Sequence, residues 1–490
     1  MKRRAILRLL VLLVSLTVLA MALPLVIALA LKEDAMVKAF GITMGVVFAA
    51  AVPVLAATRK QPLGFTASDG FLLVFLTWAA ACFLGALPYY LSRYIPRMAD
   101  AVYESVSGFT TTGSSIITDL ELMPRSLIFW RAETHWLGGM GMVVLTVALL
   151  PLLGVGGFQL VKAETTGPDK DRITPKITET AKLLWLMYII LTAVEALLLR
   201  LAGMSLFDAV IHAFSTIATG GFSSRNENIA YYQSPLIEWI ITVFMIIAGC
   251  NFSLLYRLFR RKFREVYYNS EARAYVLIIL IAAGIIALST AAAGNPGGGT
   301  DPAASTLPAA IRYGFFYTAT ILTTTGFSAA GHNLWPALAQ GVLFVLLFIG
   351  GCSGSTAGGI KVVRHVVLVK QMQNEMRKLI YPRGVFSIRL NNKVGRRDVI
   401  YGVSGFVVLY FITTGLCSLV LAGAGLDFYS ALNASASSIG NVGLGLGHLE
   451  SAAVFHAFPG YVKWVLSFVM IAGRLELWTA LVFLSRAYWR

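Results

Sequence analysis

The sequence predicts an all-α membrane protein with ten transmembrane helices and four pseudo-symmetric repeats around one pore. Each repeat is expected to contain an outer helix, a short pore helix, a filter segment and an inner helix. Three observations lead to this prediction: an apolar composition, many apolar runs long enough to span a membrane, and four short polar clusters that recur in register.

The composition is that of a protein surrounded by lipid. Apolar residues make up 57% of the 490 residues and charged residues only 13%, whereas a soluble domain carries about 25% charged residues. The mean hydropathy is +0.74. These values exclude a large soluble enzyme and make the lipid bilayer an expected partner of the chain.

The net charge of +16 is explained by membrane topology rather than by nucleic-acid binding. A basic protein can neutralise phosphates, but Lys and Arg are concentrated here in a few loops, such as residues 257–264 and 377–397. Cytoplasmic loops of membrane proteins carry this excess of positive charge. The sequence therefore predicts no nucleic-acid partner.

The cysteines and histidines show no pattern of a metal or cofactor site. The cysteines lack the spacing of a disulfide framework or a zinc site, and the histidines form no pair with an intervening glutamate of the zinc-protease type. The four cysteines are Cys82, Cys250, Cys352 and Cys417. The sequence therefore predicts neither an enzyme nor a resident cofactor.

Ten apolar runs are long enough to cross a bilayer, which takes about 20 helical residues. They lie near residues 5–31, 36–57, 70–92, 125–152, 177–202, 234–258, 272–293, 335–375, 398–423 and 460–485. The first run is longer than the core of a signal peptide, so we expect a retained helix with a cytoplasmic N-terminus. Threading the runs places both termini in the cytoplasm, with the basic loops 58–69, 160–176, 257–273, 361–397 and 486–490.

Four shorter segments precede the polar clusters, at residues 98–109, 206–217, 310–322 and 428–438. At about 1.5 Å per residue, each covers roughly half of the hydrocarbon core. Non-helical backbone is tolerated at membrane depth only where it is buried in protein or lines a water-filled cavity. We therefore expect four re-entrant half-helices that lead to a shared aqueous path.

The clusters after the half-helices repeat in register. They are cluster 1 (Thr110, Thr111, Thr112, Gly113), cluster 2 (Ala218, Thr219, Gly220, Gly221), cluster 3 (Thr323, Thr324, Thr325, Gly326) and cluster 4 (Gly440, Asn441, Val442, Gly443). A small residue stands twelve positions before each last glycine, and a hydroxyl six positions before it (Ser107, Ser215, Thr320, Ser437). Helix packing in membranes also favours Gly, Ser and Thr, but it does not explain four clusters in register.

The composition of the clusters suits a dehydrated cation. Rings of backbone carbonyls replace the water oxygens around an ion without adding net charge, and glycine adopts the unusual dihedral angles that such a ring needs. Half-helices that point their C-terminal ends at the pore favour a cation. Acidic residues near the outer mouth agree with this sign, although solvation or helix capping also explains them: Asp100, Glu104, Asp119, Glu121 and Asp208.

The four clusters, with the stretch from Trp136–Gly141 to Gly154–Gly157, resemble the TrkH/KtrB family of potassium transporters. The additional apolar hairpin at residues 1–57 is similar to the TrkH branch. The resemblance implies a potassium filter made of all sixteen cluster residues, because glycine at the end of each cluster accompanies potassium preference in the family. Cluster 4 departs most from the others, through Gly440 and Asn441.

The resemblance also implies partners and a location. It implies a homodimer with one pore per subunit in the bacterial inner membrane, and a cytosolic regulatory ring of TrkA-like nucleotide-binding subunits. Potassium is then the transported ion and not a cofactor. The residues leave open whether uptake is channel-like or coupled to another ion.

A glycine-rich run at residues 350–359 is expected to interrupt the third inner helix, because glycine has poor helix propensity. From its residues alone, the run is either a packing hinge or a gate. The resemblance implies an intramembrane gating loop that contains Gly351, Ser353, Gly354, Ser355, Gly358 and Gly359, with Lys361 just after it.

Arg474 is the last predicted gating residue. In a helix from about 460 to 486, its side chain lies too far from either interface to reach water, and Glu476 points to a different face. One interpretation is an ion pair with a carboxylate on another helix. The other, which the resemblance favours, places Arg474 beside the ion path as an electrostatic barrier.

The repeats define the domain boundaries. They predict an N-terminal hairpin at 1–66, repeat 1 at 67–165, repeat 2 at 166–265, repeat 3 with the gating loop at 266–378, and repeat 4 at 379–490. A solute carrier with inverted repeats would show twofold inverted symmetry, whereas these four repeats share one polarity. A membrane-embedded enzyme would need more His, Asp and Glu within the spans.

Overall fold

The computed structural model describes residues 2–58, 67–141, 177–293, 306–391, 393–394, 397–446, 452–482 and 486–488. Within these ranges the regular secondary structure is helical, apart from one antiparallel pairing of Arg389–Leu390 with Lys393–Val394. Six of the described helices are long and apolar enough to cross a membrane, or seven if one bent pair counts as a span. The predicted class, an all-α membrane protein, is confirmed.

An N-terminal hairpin precedes the repeats. Its helices are Lys2–Ala20, Ala22–Ala30 and Asp34–Ala57. The carboxylate of Glu33, in the turn of the hairpin, accepts hydrogen bonds from the backbone N–H groups of Arg125 (2.9 Å) and Ser126 (3.2 Å). Because the first N–H groups of a helix have no partner within it, Glu33 caps the inner helix of repeat 1 and joins the hairpin to that repeat.

Each repeat contains an outer helix, a half-helix and an inner helix. Outer helices 1 to 4 are Ala67–Leu91, Ile177–Leu201, Ser270–Ala292 and Arg397–Gly423; half-helices 1 to 4 are Met98–Phe109, Leu206–Ile217, Leu307–Leu322 and Phe428–Gly440; inner helices 1 to 4 are Arg125–Trp136, Pro235–Ala248, Ala337–Leu346 and Gly460–Arg474. The other elements are a π-helix, Leu137–Gly141, the α-helices Phe252–Phe259, Phe263–Tyr267, Val362–Ile380, Ala452–Ala457 and Trp478–Leu481, and the 3₁₀-helices Asn228–Tyr232, His332–Leu334 and Arg486–Tyr488.

The half-helices are buried over most of their length, apart from exposed residues near the start of three of them, and lie close to the predicted positions. Half-helices 1 and 2 have the predicted bounds, half-helix 3 begins at Leu307 rather than 310, and half-helix 4 ends at Gly440 rather than 438. Three begin with an N-cap side chain that accepts a backbone N–H: Ser205, Thr306 and Asp427. Such caps satisfy donors that would otherwise be orphaned inside the protein.

The inner helices break near the clusters. Inner helix 3 stops at Leu346, and a helix resumes only at Val362, as the glycine-rich run predicts. Inner helix 2 bends by 104° between Ala248 and Phe252, and inner helix 4 ends at Arg474. The prediction of unbroken helices at 234–258 and 460–485 was therefore wrong.

Close packing against the half-helices accompanies these breaks. A Cβ atom on Gly249 would lie under 3.0 Å from the Thr323 side chain, and one on Gly473 equally close to the Ile439 carbonyl. After Arg474, Glu476 and Leu477 both have left-handed φ values, of 57° and 55°, which end the helix. The predicted continuation of inner helix 1 to residue 152 lies outside the described residues.

Two hydrophobic cores flank the clusters. One joins the hairpin with repeats 1 and 4 and contains Phe40, Trp130 and Leu466. The other joins mainly repeats 2 and 3 and contains Tyr275 and Phe316. The clusters therefore lie where the two cores meet, held on every side by packed helices.

Candidate functional site

The four clusters face one another in a closed ring. A Cβ atom placed on the last glycine of any cluster falls under 3.0 Å from a backbone carbonyl oxygen of another cluster. These contacts run from Gly113 to Gly220, from Gly221 to Thr325, from Gly326 to Val442 and from Gly443 to Thr112. Each carbonyl belongs to the residue before the last glycine of the next cluster, so the four segments surround one axis in the order 1, 2, 3, 4.

The four clusters share one backbone conformation. The φ values are 83°, 81°, 81° and 74° at Gly113, Gly221, Gly326 and Gly443, and 53°, 57°, 56° and 54° two residues earlier, at Thr111, Thr219, Thr324 and Asn441. Left-handed φ is uncommon outside glycine, and asparagine adopts it more readily than most residues. Cluster 4, which departs most in sequence, therefore has the same backbone as the others.

Hydrogen bonds hold each cluster to the end of its half-helix. The N–H of its third residue donates to the carbonyl six positions before the last glycine: Thr112 to Ser107 (2.9 Å), Gly220 to Ser215 (2.8 Å), Thr325 to Thr320 (2.8 Å) and Val442 to Ser437 (2.9 Å). In repeats 3 and 4, the hydroxyl at that position also donates to the residue after the glycine, Phe327 or Leu444, at 3.0 Å. In these two repeats the hydroxyl thus connects the half-helix to the chain beyond the glycine.

A cavity of about 500 Å³ opens on the side of the ring that follows the last glycines, and all four of these glycines line it. Arg131 and Arg225 line the same cavity. Arg131 forms an ion pair with Glu104 at 2.7 Å, and Arg225 with Asp208 at 3.2 Å. Both guanidinium groups at this mouth are therefore balanced by carboxylates from the half-helices.

Two other acidic residues predicted near this mouth, Asp100 and Asp119, also have defined partners. Asp100 accepts a hydrogen bond from Lys463 at 2.6 Å, and both side chains are buried. Asp119 is exposed and accepts a hydrogen bond from Asn226 at 3.0 Å, which lowers the pKa of the Asp119 carboxyl. Asp100, Glu104 and Asp208 therefore form ion pairs with basic side chains, an arrangement that neither solvation nor helix capping describes.

A non-helical loop at residues 347–361, here called the inner loop, lies on the other side of the ring. Backbone hydrogen bonds tie its ends together, from Gly350 to Ile360 (2.8 Å) and from Val362 to Gly351 (3.1 Å). Thr356 donates to the carbonyl of Ile217 at the end of half-helix 2 (3.0 Å). The N–H of Gly358 donates to Thr324 Oγ1 in cluster 3 (2.7 Å), so the inner loop covers the face of the ring opposite the cavity.

The remaining predicted loop residues fix the loop to itself and to its surroundings. Ser353 N–H donates to Glu271 (2.6 Å), Ser355 to the Cys352 carbonyl (2.6 Å), and Lys361 to the Ala357 carbonyl, while the Gly354 carbonyl accepts from Phe252 (3.2 Å). Gly354 and Gly359 have left-handed φ values of 73° and 67°. A Cβ on Gly351 would come under 3.0 Å from the Gly249 carbonyl, which explains glycine at that position.

Arg474 connects the inner loop to repeat 1. Its guanidinium donates to the backbone carbonyls of Thr356 (2.7 Å), Gly138 (2.8 Å) and Gly139 (3.2 Å). Glu476 pairs instead with Arg364, in agreement with the prediction that it is a poor partner for Arg474. The positive charge therefore lies beside the inner loop, on the side of the ring away from the cavity.

Two buried ion pairs of the half-helices were not predicted from the sequence. These are the Arg131–Glu104 pair and the Lys463–Asp100 pair, whose side chains are all 5% exposed or less. Both cations lie within inner helices, Arg131 in inner helix 1 and Lys463 in inner helix 4. A charged residue inside a spanning segment is by itself a signal of function or pairing, and this signal was available at both positions.

Comparisons with known proteins agree with this geometry. The family model for the TrkH cation transport protein matches residues 38–489. The Trk system potassium uptake protein TrkH of Halomonas elongata is 37% identical over 493 residues, which cover 100% of both chains. The protein of the same name from Escherichia coli is 38% identical over 491 residues, which cover 99% of both.

A solved structure has the same fold. The crystal structure of the potassium transporter TrkH from Vibrio parahaemolyticus matches with a TM-score of 0.87 and 35% sequence identity, over 100% of both chains. This likeness and the apolar helices identify a multi-pass membrane transporter rather than an enzyme. The chain belongs to the TrkH family of cation transport proteins.

Proposed function

We propose that this chain takes up potassium across the bacterial inner membrane through the ring of clusters 1 to 4. The observation that carries the proposal is the closed ring itself, in which each last glycine packs against a carbonyl of the next cluster. Carbonyl oxygens at close quarters replace the hydration shell of a cation. Relatives named potassium uptake proteins, similar over their full length, supply the identity of the ion.

The path through the ring has an open side and a covered side. The cavity of about 500 Å³ gives hydrated ions access to the last glycines. On the covered side the inner loop contacts cluster 3 and the end of half-helix 2. We assign the gate to this loop and its glycines, together with Lys361 and Arg474, whose positive charges oppose the passage of a cation.

The chain acts in this proposal as the membrane subunit of a larger system. It forms a homodimer, and a cytosolic ring of nucleotide-binding subunits displaces the inner loop. Exposed basic side chains in the segment 257–264 and near residue 378 support a cytoplasmic location for these segments, because positive charge is retained on that side. Both termini then lie in the cytoplasm.

Cation flux into proteoliposomes that contain the purified protein tests the proposal. Potassium and rubidium should enter faster than sodium, and protein-free vesicles of the same lipid give the background. The glycine variant Gly415→Ser is a suitable folded control, because nothing lies near a Cβ at that position. Equal entry of sodium and potassium through the native protein would contradict the assignment of the ring as a potassium filter.

A further inference from the structure

A second register relates the half-helices to the segments that leave the ring. Nine positions before the last glycine stand Glu104, His212, Tyr317 and Ala434, and two positions after it stand Ser115, Ser223, Ser328 and Gly445. In repeats 1, 2 and 3 the two positions are hydrogen-bonded: Glu104 to Ser115 (3.0 Å), His212 to Ser223 (3.1 Å) and Tyr317 to Ser328 (3.1 Å). Repeat 4 has Ala434 and Gly445 at these positions, and neither residue has a side-chain group that can form a hydrogen bond.

We call these three bonds the struts. A carboxylate, an imidazole and a phenol occupy the same position and reach the same serine hydroxyl, although their chemistry differs. Helix packing alone does not select three different polar groups at one buried position, because an unsatisfied buried polar group is costly. The feature that the three residues share is the hydrogen bond to a serine. This bond therefore explains why the position carries a polar side chain in repeats 1, 2 and 3.

Each strut residue is itself fixed. Glu104, His212 and Tyr317 are completely buried. Glu104 also binds Arg131 (2.7 Å), and Tyr317 also accepts the N–H of Ala330 (3.0 Å).

His212 shows how firmly a strut is oriented. Its Nδ1 lies 2.7 Å from the Asp208 carbonyl, which only accepts, so Nδ1 carries the proton. In the neutral ring Nε2 is then an acceptor, and Ser223 donates to it. The strut in repeat 2 therefore has one defined direction.

A second set of bonds joins neighbouring repeats at the same level. Backbone carbonyls just past the glycines accept from the preceding repeat: Ser223 from Arg131 (3.4 Å), Ser328 from Ile229 N–H (3.0 Å), Gly445 from His332 (3.3 Å), and Ile116 from His456 (3.2 Å). These contacts follow the order 1, 2, 3, 4, 1 of the ring. We call the segments just after the last glycines the outer rim. In all four repeats the outer rim is bonded to the preceding repeat, but in only three is it also bonded by a strut to the half-helix of its own repeat.

We propose that Glu104, His212 and Tyr317 are positioning residues for cation selection, which fix the outer rim of the ring through Ser115, Ser223 and Ser328. This inference rests on the proposed potassium function. A carbonyl ring discriminates between cations through the spacing and number of its oxygens, so a loosened rim admits ions of other sizes. Cluster 4, without a strut, is the strand of the rim that moves most easily.

The most direct test compares Tyr317→Phe and Ser328→Ala with the native protein in proteoliposomes. Tyr317→Phe removes only a hydroxyl, and Ser328→Ala removes only its partner in the strut. We expect the ratio of potassium to sodium flux to fall about two- to tenfold in Ser328→Ala, the range that corresponds to one lost neutral hydrogen bond. It should fall at least as far in Tyr317→Phe, because the Tyr317 hydroxyl also bonds the backbone of Ala329 and Ala330. The double variant should fall no further than the Tyr317→Phe variant, because both changes remove the same bond.

Two matched controls separate positioning from general stability. Tyr89→Phe removes the hydroxyl of another fully buried tyrosine, in outer helix 1, and Ser105→Ala removes a buried half-helix hydroxyl that binds the Cys82 carbonyl instead (2.6 Å). Both should keep the native flux ratio. Ser115→Ala and Ser223→Ala repeat the test in repeats 1 and 2 if the tyrosine variant does not fold.

The outcomes separate the two proposals. If the strut variants fold and keep the native flux ratio, or lose potassium and sodium flux equally, the struts are structural only and the inference is overturned. If the native protein itself does not prefer potassium to sodium, the proposed function fails, and the struts have no selection to support.

Discussion

The carbonyl oxygen of Thr112 lies where a side chain on Gly443 would begin, so that the last cluster of the ring packs directly against the first. A Cβ atom there would fall under 3.0 Å from the oxygen, and the same holds for Gly113 against Gly220. Backbone that is held in a closed ring has little room to yield. The last glycines are therefore required by contacts between repeats, as well as by their left-handed φ values.

The first prediction follows from this contact. Gly113→Ser should lower the preference for potassium over sodium while the protein still inserts into the membrane, since the new side chain displaces a carbonyl of cluster 2. A left-handed residue other than glycine costs about 1–3 kcal/mol in addition. Flux ratios in proteoliposomes measure the effect, with Gly415→Ser as the control that meets no neighbour. Unchanged selectivity in a well-folded Gly113→Ser protein would remove cluster 1 from the filter.

The half-helices and the cluster register were predictable because both are local patterns. The segments 98–109 and 206–217 are too short to span a membrane, and each ends where a polar cluster begins. The structure has helices with these bounds. The glycines also predicted the interruption of inner helix 3. The register predicted where the clusters lie along the chain. Their order around the ring, 1, 2, 3, 4, is visible only in the contacts between them.

The breaks in inner helices 2 and 4 were missed for different reasons. At 249–251 a signal was present, because Asn251 caps the next helix through its side chain (2.8 Å to Ser253 N–H), as asparagine does at helix starts. After Arg474 the sequence Leu475–Leu477 contains neither glycine nor proline. The turn there accompanies the ion pair between Glu476 and Arg364, a tertiary contact that no local pattern reveals.

The second prediction concerns the inner loop. Deletion of residues 353–357 removes Thr356, which binds the end of half-helix 2, and should give high potassium flux without activation by cytosolic subunits. Flux is measured in proteoliposomes with and without those subunits. The control is deletion of residues 383–386, a segment in which Val385 is 96% exposed. Flux that stays low and still depends on the subunits would identify the loop as a packing hinge.

The third prediction concerns the buried pair of Lys463 and Asp100. Lys463→Met should destabilise the protein by about 3–5 kcal/mol, because it leaves the Asp100 carboxylate buried without its cation. The double variant Asp100→Leu with Lys463→Met should recover most of this loss, since a buried pair and an apolar pair are often similar in stability. Thermal unfolding of the detergent-solubilised variants measures the free energies.

An exposed pair provides the control for that prediction. Lys378 and Glu375 are 46% and 53% exposed and lie 2.7 Å apart, so Lys378→Met should cost about 1 kcal/mol or less. If Lys463→Met is as mild as Lys378→Met, the buried pair does not hold half-helix 1 against inner helix 4.

The last prediction concerns Arg474, whose charge and hydrogen bonds have separable effects. Arg474→Ala removes both the positive charge and the three bonds to Thr356, Gly138 and Gly139, and it should raise potassium flux. A fixed positive charge beside the path in a region of low dielectric repels a passing cation by an amount on the order of a few kcal/mol. Arg474→Lys keeps the positive charge, but it lacks the planar guanidinium that bonds the inner loop and repeat 1 at the same time.

The comparison of these two variants decides what Arg474 contributes. If the charge forms the barrier, the Arg474→Lys protein should conduct at close to the native rate in proteoliposomes, and only Arg474→Ala should conduct faster. If Arg474→Lys conducts as fast as Arg474→Ala, the bond from the guanidinium to the inner loop holds the gate closed, and the electrostatic account is wrong. A third outcome is that Arg474→Ala aggregates while Arg474→Lys has native stability. The buried positive charge would then have a structural role, because the charge would be sufficient for folding without the guanidinium group.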